Sequence, residues 1–145
     1  MNRAASPQDV TAIVPTYNRA RYIGECLDAL VGQTAPPRQI LVVDDGSTDE
    51  TASIVGGYGD RITYLRQENS GKASALNRAL AQAEGTAIWI FDDDDVAEPE
   101  ALALLCAALD GVPSAGFAFG GHDNFLDEGG TRRFKPVSPP AFAAD

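Results

Sequence analysis

The stretch Ile88-Trp89-Ile90-Phe91-Asp92-Asp93-Asp94-Asp95 joins four large apolar residues directly to four carboxylates. An apolar run with β-branched and aromatic members is typical of a strand buried on both faces, which puts the acids at its C-terminal end. Open α/β sheets bind ligands at that end. Two carboxylates about 4 Å apart repel by about 4 kcal/mol at an effective dielectric constant of about 20, so the acids need a positive partner. A divalent cation is one such partner; the alternative is a solvated turn before a helix starting at Pro99.

Apolar runs recur along the chain at intervals that predict alternating strands and helices. Strands are predicted at residues 10–15, 40–43, 62–65, 88–91 and 115–119. Pro15 is expected to end the first strand because it cannot donate a ladder hydrogen bond. Apolar spacing of three and four residues predicts a helix from Ile23 to Val31 and another after Pro99.

Two further helices are predicted from their starting residues. Ser47 and Glu50 have the spacing of a capping box, which predicts a short helix through Val55. Ser70 is predicted to cap a helix with Ala73, Leu76, Leu80 and Ala83 on one face, and Gly85 lies just beyond its end.

This alternation predicts the α/β class, with a mostly parallel sheet, right-handed crossovers and helices on both faces. Residues 1–145 are expected to form one domain, large enough to bury a core. Residues 123–125 and 131–134 flank a plausible hairpin turn, and residues 136–145 form a tail rich in proline and alanine.

The charge excludes some classes of partner. With 21 acids against 11 Lys and Arg, the net charge is −10, so phosphate backbones and anionic lipid are repelled. Nucleic acid and membrane surfaces are therefore not expected partners. Cys26 and Cys106 occupy apolar helix positions and are interpreted as buried thiols. The sequence has no long apolar segment, and a cytoplasmic location is expected.

The predicted strand ends carry a distinctive set of side chains. The first turn is Thr16-Tyr17-Asn18-Arg19, without the glycine-rich pattern of a dinucleotide site or a P-loop. The other strand ends offer Asp44 and Asp45, a polar loop ending at Lys72, and the four acids. An aromatic ring for stacking, acceptors for a base edge, a hydrogen-bond donor for phosphate and metal ligands together indicate a nucleoside diphosphate site. Each feature alone also fits an ordinary turn or helix start.

Four segments carry a resemblance to a known family. They are Ile13-Val14-Pro15-Thr16-Tyr17-Asn18-Arg19, Val42-Val43-Asp44-Asp45-Gly46-Ser47-Thr48-Asp49, Asn69-Ser70-Gly71-Lys72 with Ala75 and Asn77, and Asp92-Asp93-Asp94-Asp95 with Pro99. In this order they resemble the motifs of the inverting nucleotide-sugar glycosyltransferases called family 2, of the GT-A fold. The last segment is similar to the family's acidic DXD motif.

The resemblance implies transfer of a sugar from a nucleoside-diphosphate sugar, expected to be a UDP-sugar, to an acceptor hydroxyl. Mn²⁺ or Mg²⁺ would assist, with Asp92 and Asp94 as metal ligands. Tyr17 would lie against the base, and Asp45 or Asp44 would accept from the base edge. The full set of nucleotide-binding residues is then Thr16, Tyr17, Arg19, Asp44, Asp45, Lys72 and Asp93.

The resemblance leaves the catalytic base, the sugar and the acceptor unassigned. Family members are generally longer, and their base lies in the later half, so the acceptor-binding part is expected to be missing from these residues. One alternative is a donor-binding module without transfer activity. Another is a phosphatase of the haloacid dehalogenase type, because Asp92, Asp94 and Val96 fit its D-x-D-x-T/V pattern.

Overall fold

A computed structural model describes residues 6–112, 114–128 and 131–136. Its main sheet has four parallel strands in the order β3-β2-β1-β4. These strands are β1 (Val10–Thr16), β2 (Gln39–Asp44), β3 (Thr63–Arg66) and β4 (Ala87–Ile90). The helices are α1 (Ile23–Val31), α2 (Thr51–Gly56), α3 (Lys72–Leu80) and α4 (Ala101–Gly111), with short 3-10 turns at Pro7–Asp9 and Gly59–Arg61. The predicted α/β class is confirmed.

The core lies on both faces of the sheet because alternate residues of each strand point to opposite sides. On one face, Val14 and Val42 pack with Leu27 of α1. On the other face, Ile13 and Leu41 pack with Ala79 of α3. Helix α4 packs on the first side, where Leu102 and Cys106 contact Val10. Helices therefore cover both faces, as the sequence predicts.

Strand β1 runs past Pro15, so the prediction that proline ends this strand is wrong. Pro15 pairs with Val43, and Thr16 pairs with Asp44. The Ile13 carbonyl accepts a hydrogen bond from the Phe91 N–H, on the side of β1 where β4 lies. Backbone groups two residues apart face the same side of a strand, so the Pro15 nitrogen also faces that side. Strand β4 has already ended there, at Ile90. The missing N–H therefore has no strand partner to lose.

Two predictions about the far edge of the sheet are also wrong. Strand β4 is an edge strand, and Ile90 is 54% exposed, whereas burial on both faces was expected. Residues 115–119 form no strand, and Phe117 is 77% exposed. An apolar run can become a strand only where another strand edge is within hydrogen-bonding reach, which the run itself does not specify.

Neither predicted serine cap forms. Helix α2 starts after Glu50, which makes no side-chain cap, and Asp49 instead accepts from the Thr51 N–H at 3.0 Å. Helix α3 starts after Gly71, while the Ser70 hydroxyl donates to the Glu68 carbonyl. Ser47 Oγ accepts from the Asn18 N–H of another loop, whereas the Ser70 hydroxyl bonds within its own loop.

The face predicted for α3 is wrong, because Ala75 and Ala79 are its buried residues while Leu80 is 49% exposed. The predicted hairpin and the predicted buried thiols agree with the described residues. Strands β5 (Asp123–Glu128) and β6 (Thr131–Pro136) form the expected antiparallel hairpin. Cys26 and Cys106 are buried free thiols, and burial raises the pKa of both. Of the predicted tail, residues 137–145 lie outside the described residues. No described helix combines the length and apolarity needed to cross a membrane.

Gly85 lies where the chain crosses closely over β1, rather than directly at the end of α3. Its N–H donates to the Thr11 hydroxyl at 2.9 Å. A Cβ at this position would be 2.5 Å from the Thr11 nitrogen and 2.6 Å from the Asp9 carbonyl oxygen. Because these neighbours are backbone atoms, they cannot rotate away.

Gly85→Ala is therefore expected to destabilise the fold by about 1–3 kcal/mol, since the backbone must shift. Gly56→Ala is the matched control, because its Cβ would meet nothing within 4 Å and the residue lies in α2. There alanine should stabilise by about 0.5–1 kcal/mol. Urea denaturation measures both. Equal stability of the two variants would contradict the close approach.

Candidate functional site

A cleft of about 350 Å³ opens at the C-terminal ends of β1, β2 and β4. Its lining residues are Pro15, Thr16, Tyr17, Arg19, Asp45, Lys72, Ala75, Asp92, Asp93 and Asp94. They include every residue predicted to bind nucleotide or metal except Asp44. A more open depression of about 530 Å³ lies beside it, lined by the loop that follows β3, and contains none of the predicted residues.

The Asp45 carboxylate is held at the cleft wall by the loop between β3 and α3. Its Oδ1 accepts from the Ser70 N–H at 2.8 Å and from the Gln67 side chain at 2.7 Å, and its Oδ2 accepts from the Gly71 N–H at 2.7 Å. Burial opposes ionisation, but these hydrogen bonds hold the pKa of Asp45 below its usual value. Gly71 has φ +88°, which favours glycine at this turn. Asp45 is thus a fixed anion with one lone-pair position of Oδ2 still available.

Asp44 is not brought into the cleft, contrary to its predicted role. It is fully buried behind the wall, and its Oδ1 accepts from the Ser47 N–H at 2.7 Å. The Tyr64 hydroxyl donates to Oδ2 at 2.5 Å. Adjacent strand residues point to opposite faces, so only one of two neighbouring acids can face a ligand. Of the pair, Asp45 faces the cleft.

Cationic side chains already pair with the acids after β4. The Lys72 ammonium lies 2.5 Å from Asp92 Oδ1, and this hydrogen bond raises the pKa of Lys72. Arg19 Nε lies 3.4 Å from Asp93 Oδ1, and Arg19 Nη2 lies 3.9 Å from Asp94 Oδ2. The chain's own cations therefore supply part of the positive charge that the acids were predicted to need. Since Lys72, Asp92 and Asp94 are about half exposed, their pairs are weak and exchangeable.

Asp93 differs from its neighbours because it is only 8% exposed. Burial raises its pKa, Asp94 adds to the rise, and Arg19 and the Thr16 hydroxyl oppose it. Thr16 Oγ1 is itself buried and makes no hydrogen bond of acceptable geometry among the described residues. The floor of the cleft thus holds one buried carboxylate and one incompletely satisfied hydroxyl.

Two buried side chains that the sequence did not assign to the site, Cys26 and Gln33, contact the segment from Asp92 to Leu102. The Cys26 thiol lies 3.5 Å from the Asp92 carbonyl. The Gln33 amide donates to the Glu98 carbonyl at 2.8 Å and accepts from the Leu102 N–H at 2.9 Å. A polar residue that ends an apolar helical stripe is the only signal in the sequence that could have indicated Gln33.

The donor set is compatible with a hard divalent cation. Within the described part of the chain, no three His, Cys, Asp or Glu side chains form a preassembled metal group. Mg²⁺ at phosphate sites uses one or two carboxylates and takes its other oxygens from phosphates and water, and Mn²⁺ also prefers such oxygen ligands. Asp92 and Asp94, which are half exposed at the cleft, satisfy that requirement.

Known proteins resemble the chain over most of this region. An uncharacterized glycosyltransferase of Rickettsia prowazekii is 43% identical over 90 residues, which are 62% of this chain and 28% of that protein. The chain therefore spans less than a third of this relative's length.

Solved structures share the fold. S. aureus TarS 1-349 in complex with UDP-GlcNAc is 35% identical with a TM-score of 0.64, over 72% of this chain and 32% of that chain. Mannosyltransferase PcManGT from Pyrobaculum calidifontis, in complex with GDP-Man and Mn²⁺, is 36% identical with a TM-score of 0.62, over 72% of this chain and 34% of that chain. The predicted GT-A-like fold is confirmed.

The family model described as glycosyl transferase family 2 matches residues 11–140, which include every strand end that lines the cleft. The four motifs, the parallel sheet and this match agree. The chain belongs to glycosyl transferase family 2.

Proposed function

We propose that this chain binds the nucleoside-diphosphate sugar donor of a glycosyltransferase, together with Mn²⁺ or Mg²⁺, with a UDP-sugar as the expected donor. The observation that carries the proposal is the convergence of Tyr17, Asp45 and the acids after β4 on one cleft. TarS with UDP-GlcNAc and PcManGT with GDP-Man and Mn²⁺ support the ligand class. At similar identity to this chain, these two proteins are bound to different nucleotides, so UDP and GDP are compared in the measurement below.

The nucleoside is assigned to the side of the cleft formed by β1 and β2. Tyr17 is 46% exposed there, so its ring offers free stacking surface to a base. Asp45 retains a lone pair for a base N–H, and its orientation is fixed by three hydrogen bonds. Thr16 lines the same cleft, and its hydroxyl opposes the rise in the pKa of Asp93.

The diphosphate is assigned to the side formed by Lys72 and the acids after β4. Asp92 and Asp94 would hold the divalent cation, which when bound stabilises negative charge on the leaving diphosphate. Lys72 would move from Asp92 toward a phosphate oxygen, since an ion pair exposed to water costs little to exchange. Arg19 would remain with Asp93 and oppose the rise in the pKa of that buried carboxyl group.

Sugar transfer by inversion also requires a base that deprotonates the acceptor hydroxyl on the side opposite the diphosphate. Asp45, Asp92 and Asp94 are committed to base recognition or metal in this proposal. A carboxylate that ligates a cation is a poor proton acceptor. Residues 1–145 are accordingly proposed as a single donor-binding domain, with the acceptor side supplied by other residues of a longer enzyme. A donor-binding module without transfer activity is the alternative. It would bind the donor in the same cleft and differ only in the absence of sugar transfer.

Membership in family 2 removes the support for the phosphatase hypothesis, which rested on the pattern of Asp92, Asp94 and Val96 alone. A cytoplasmic location stays a prediction.

Asp94→Asn should abolish the Mn²⁺-dependent part of UDP binding, because the variant loses a charged oxygen ligand without losing volume. Asp95→Asn removes the same charge from the same acidic run but outside the lining of the cleft, and should retain most of that part. Isothermal titration calorimetry of UDP and GDP, each with and without Mn²⁺, measures it. Unchanged Mn²⁺-dependent affinity in Asp94→Asn would contradict the metal assignment. Absence of binding by the parent chain under all four conditions would contradict the proposed function.

Tyr17→Ala should weaken nucleotide binding by about 1–3 kcal/mol, the usual contribution of a base stacked on an aromatic ring. Tyr17→Phe is the control, because it keeps the ring and removes only the hydroxyl, and it should bind nearly as well as the parent. The same titrations provide the affinities. Equal loss in both variants would show that the hydroxyl, and not stacking, carries the contact.

Incubation of the 145-residue chain with UDP-GlcNAc, Mn²⁺ and a panel of hydroxyl acceptors should give slow UDP release that does not depend on the acceptor. The reason is that Asp45, Asp92 and Asp94 are committed to base recognition or metal, so none of them is free to deprotonate an acceptor hydroxyl. Asp94→Asn should remove this slow hydrolysis, which controls for contaminating enzymes. Rapid acceptor-dependent transfer would contradict the division into donor and acceptor parts and direct attention to Asp123.

A further inference from the structure

The loop that follows β1 is held by three consecutive backbone N–H groups. The Asn18 N–H donates to Ser47 Oγ at 2.9 Å, the Arg19 N–H to Thr51 Oγ1 at 3.0 Å, and the Ala20 N–H to Asp49 Oδ2 at 3.0 Å. All three acceptors come from the segment between β2 and the first turn of α2. None of them lines the cleft.

The contact between the two segments is reciprocal. Asn18 has φ 52°, a left-handed conformation that is uncommon for a residue other than glycine, and its Oδ1 accepts from the Thr48 N–H at 2.8 Å. Ser47 and Thr51 are buried, and the hydrogen bond with Thr51 and those with backbone N–H groups lower the pKa of Asp49. These side chains therefore accept hydrogen bonds from the backbone of the loop that follows β1.

The first loop carries Arg19, whose side chain reaches Asp93 and Asp94 across the cleft. The distances of 3.4 Å and 3.9 Å lie near the limit of an ion pair, and the Arg19 side chain is 45% exposed. A long exposed side chain loses conformational entropy when it pairs, so an exposed ion pair contributes little unless its backbone is already fixed. A small displacement of this loop would therefore separate Arg19 from both acids.

We propose that Thr51 and Asp49 are positioning residues, which fix the backbone at Arg19 and Ala20 and thereby place the Arg19 guanidinium over Asp93 and Asp94. They act on the donor site without touching the donor. This inference rests on the proposed function for its binding readout and on the loop geometry for its structural readout.

Thr51→Val and Thr51→Ser separate positioning from stability. Valine keeps the buried volume and removes the acceptor, so the Kd for UDP with Mn²⁺ should rise about fivefold, the equivalent of one net hydrogen bond. Serine keeps the acceptor and loses a buried methyl group, so the variant should be less stable than the parent but bind UDP equally well. A Kd that follows the unfolding free energy instead of the hydroxyl would overturn the proposal.

A double-mutant cycle tests whether Thr51 acts through Arg19. In an Arg19→Ala background, Thr51→Val and Asp49→Ala should each leave the Kd for UDP with Mn²⁺ unchanged, because the side chain that they position is gone. Asp60→Asn, at an exposed acid outside the cleft, is the control for loss of charge and should have no effect in either background. The same fold-change with and without Arg19 would overturn the proposal.

Hydrogen exchange of the nucleotide-free chain provides a readout that does not need a ligand. In Thr51→Val the Arg19 amide, and in Asp49→Ala the Ala20 amide, should exchange about fivefold faster, while Thr51→Ser and Asp60→Asn match the parent. Unchanged exchange in both loss variants would overturn the positioning role. Faster exchange in the two loss variants, together with a parent chain that binds neither UDP nor GDP, would support the loop geometry and overturn the proposed function.

Discussion

The parallel pairing of β1 with β2 on one side and β4 on the other is the constraint on which the cleft depends. The register places Thr16 beside Asp44 and Ile13 beside Ile90, so three chain segments leave the sheet at the C-terminal ends of their strands. Each segment ends in polar residues that have no further strand partner. Because parallel neighbours must be joined by helical crossovers, these polar ends are far apart in the sequence and adjacent only in the folded chain.

The acids at these C-terminal strand ends are stabilised in two different ways. Asp44 and Asp45 accept hydrogen bonds from backbone N–H groups of neighbouring loops, which cannot leave without local unfolding. Asp92 and Asp94 are paired with the side chains of Lys72 and Arg19, which are partly exposed and can exchange partners. Fixed acids suit the recognition of an orientated ligand, whereas exchangeable pairs suit a site that takes up a cation with its ligand. The same cleft provides both.

The wrong predictions share a physical cause. Ser47 was expected to cap a helix because capping depends on local spacing, but in the structure its hydroxyl accepts from the Asn18 N–H of a distant loop. Residues 115–119 have the composition of a strand, yet strand formation needs a partner edge, which is a tertiary property. The burial expected for Ile90 likewise depended on the strand order, and β4 is at the edge.

The sequence by itself determined the α/β class, the first four strands and four helices, and the residue types that surround the cleft. Those features follow from periodicity, helix-breaking residues and polar strand ends, all of which are local. Only the tertiary structure decided that Asp45 and not Asp44 faces the cleft, that Lys72 and Arg19 pair with the acids, and that Thr51 and Asp49 hold the loop of Arg19. These outcomes depend on strand register and on hydrogen bonds between segments distant in the chain, which a local pattern cannot specify.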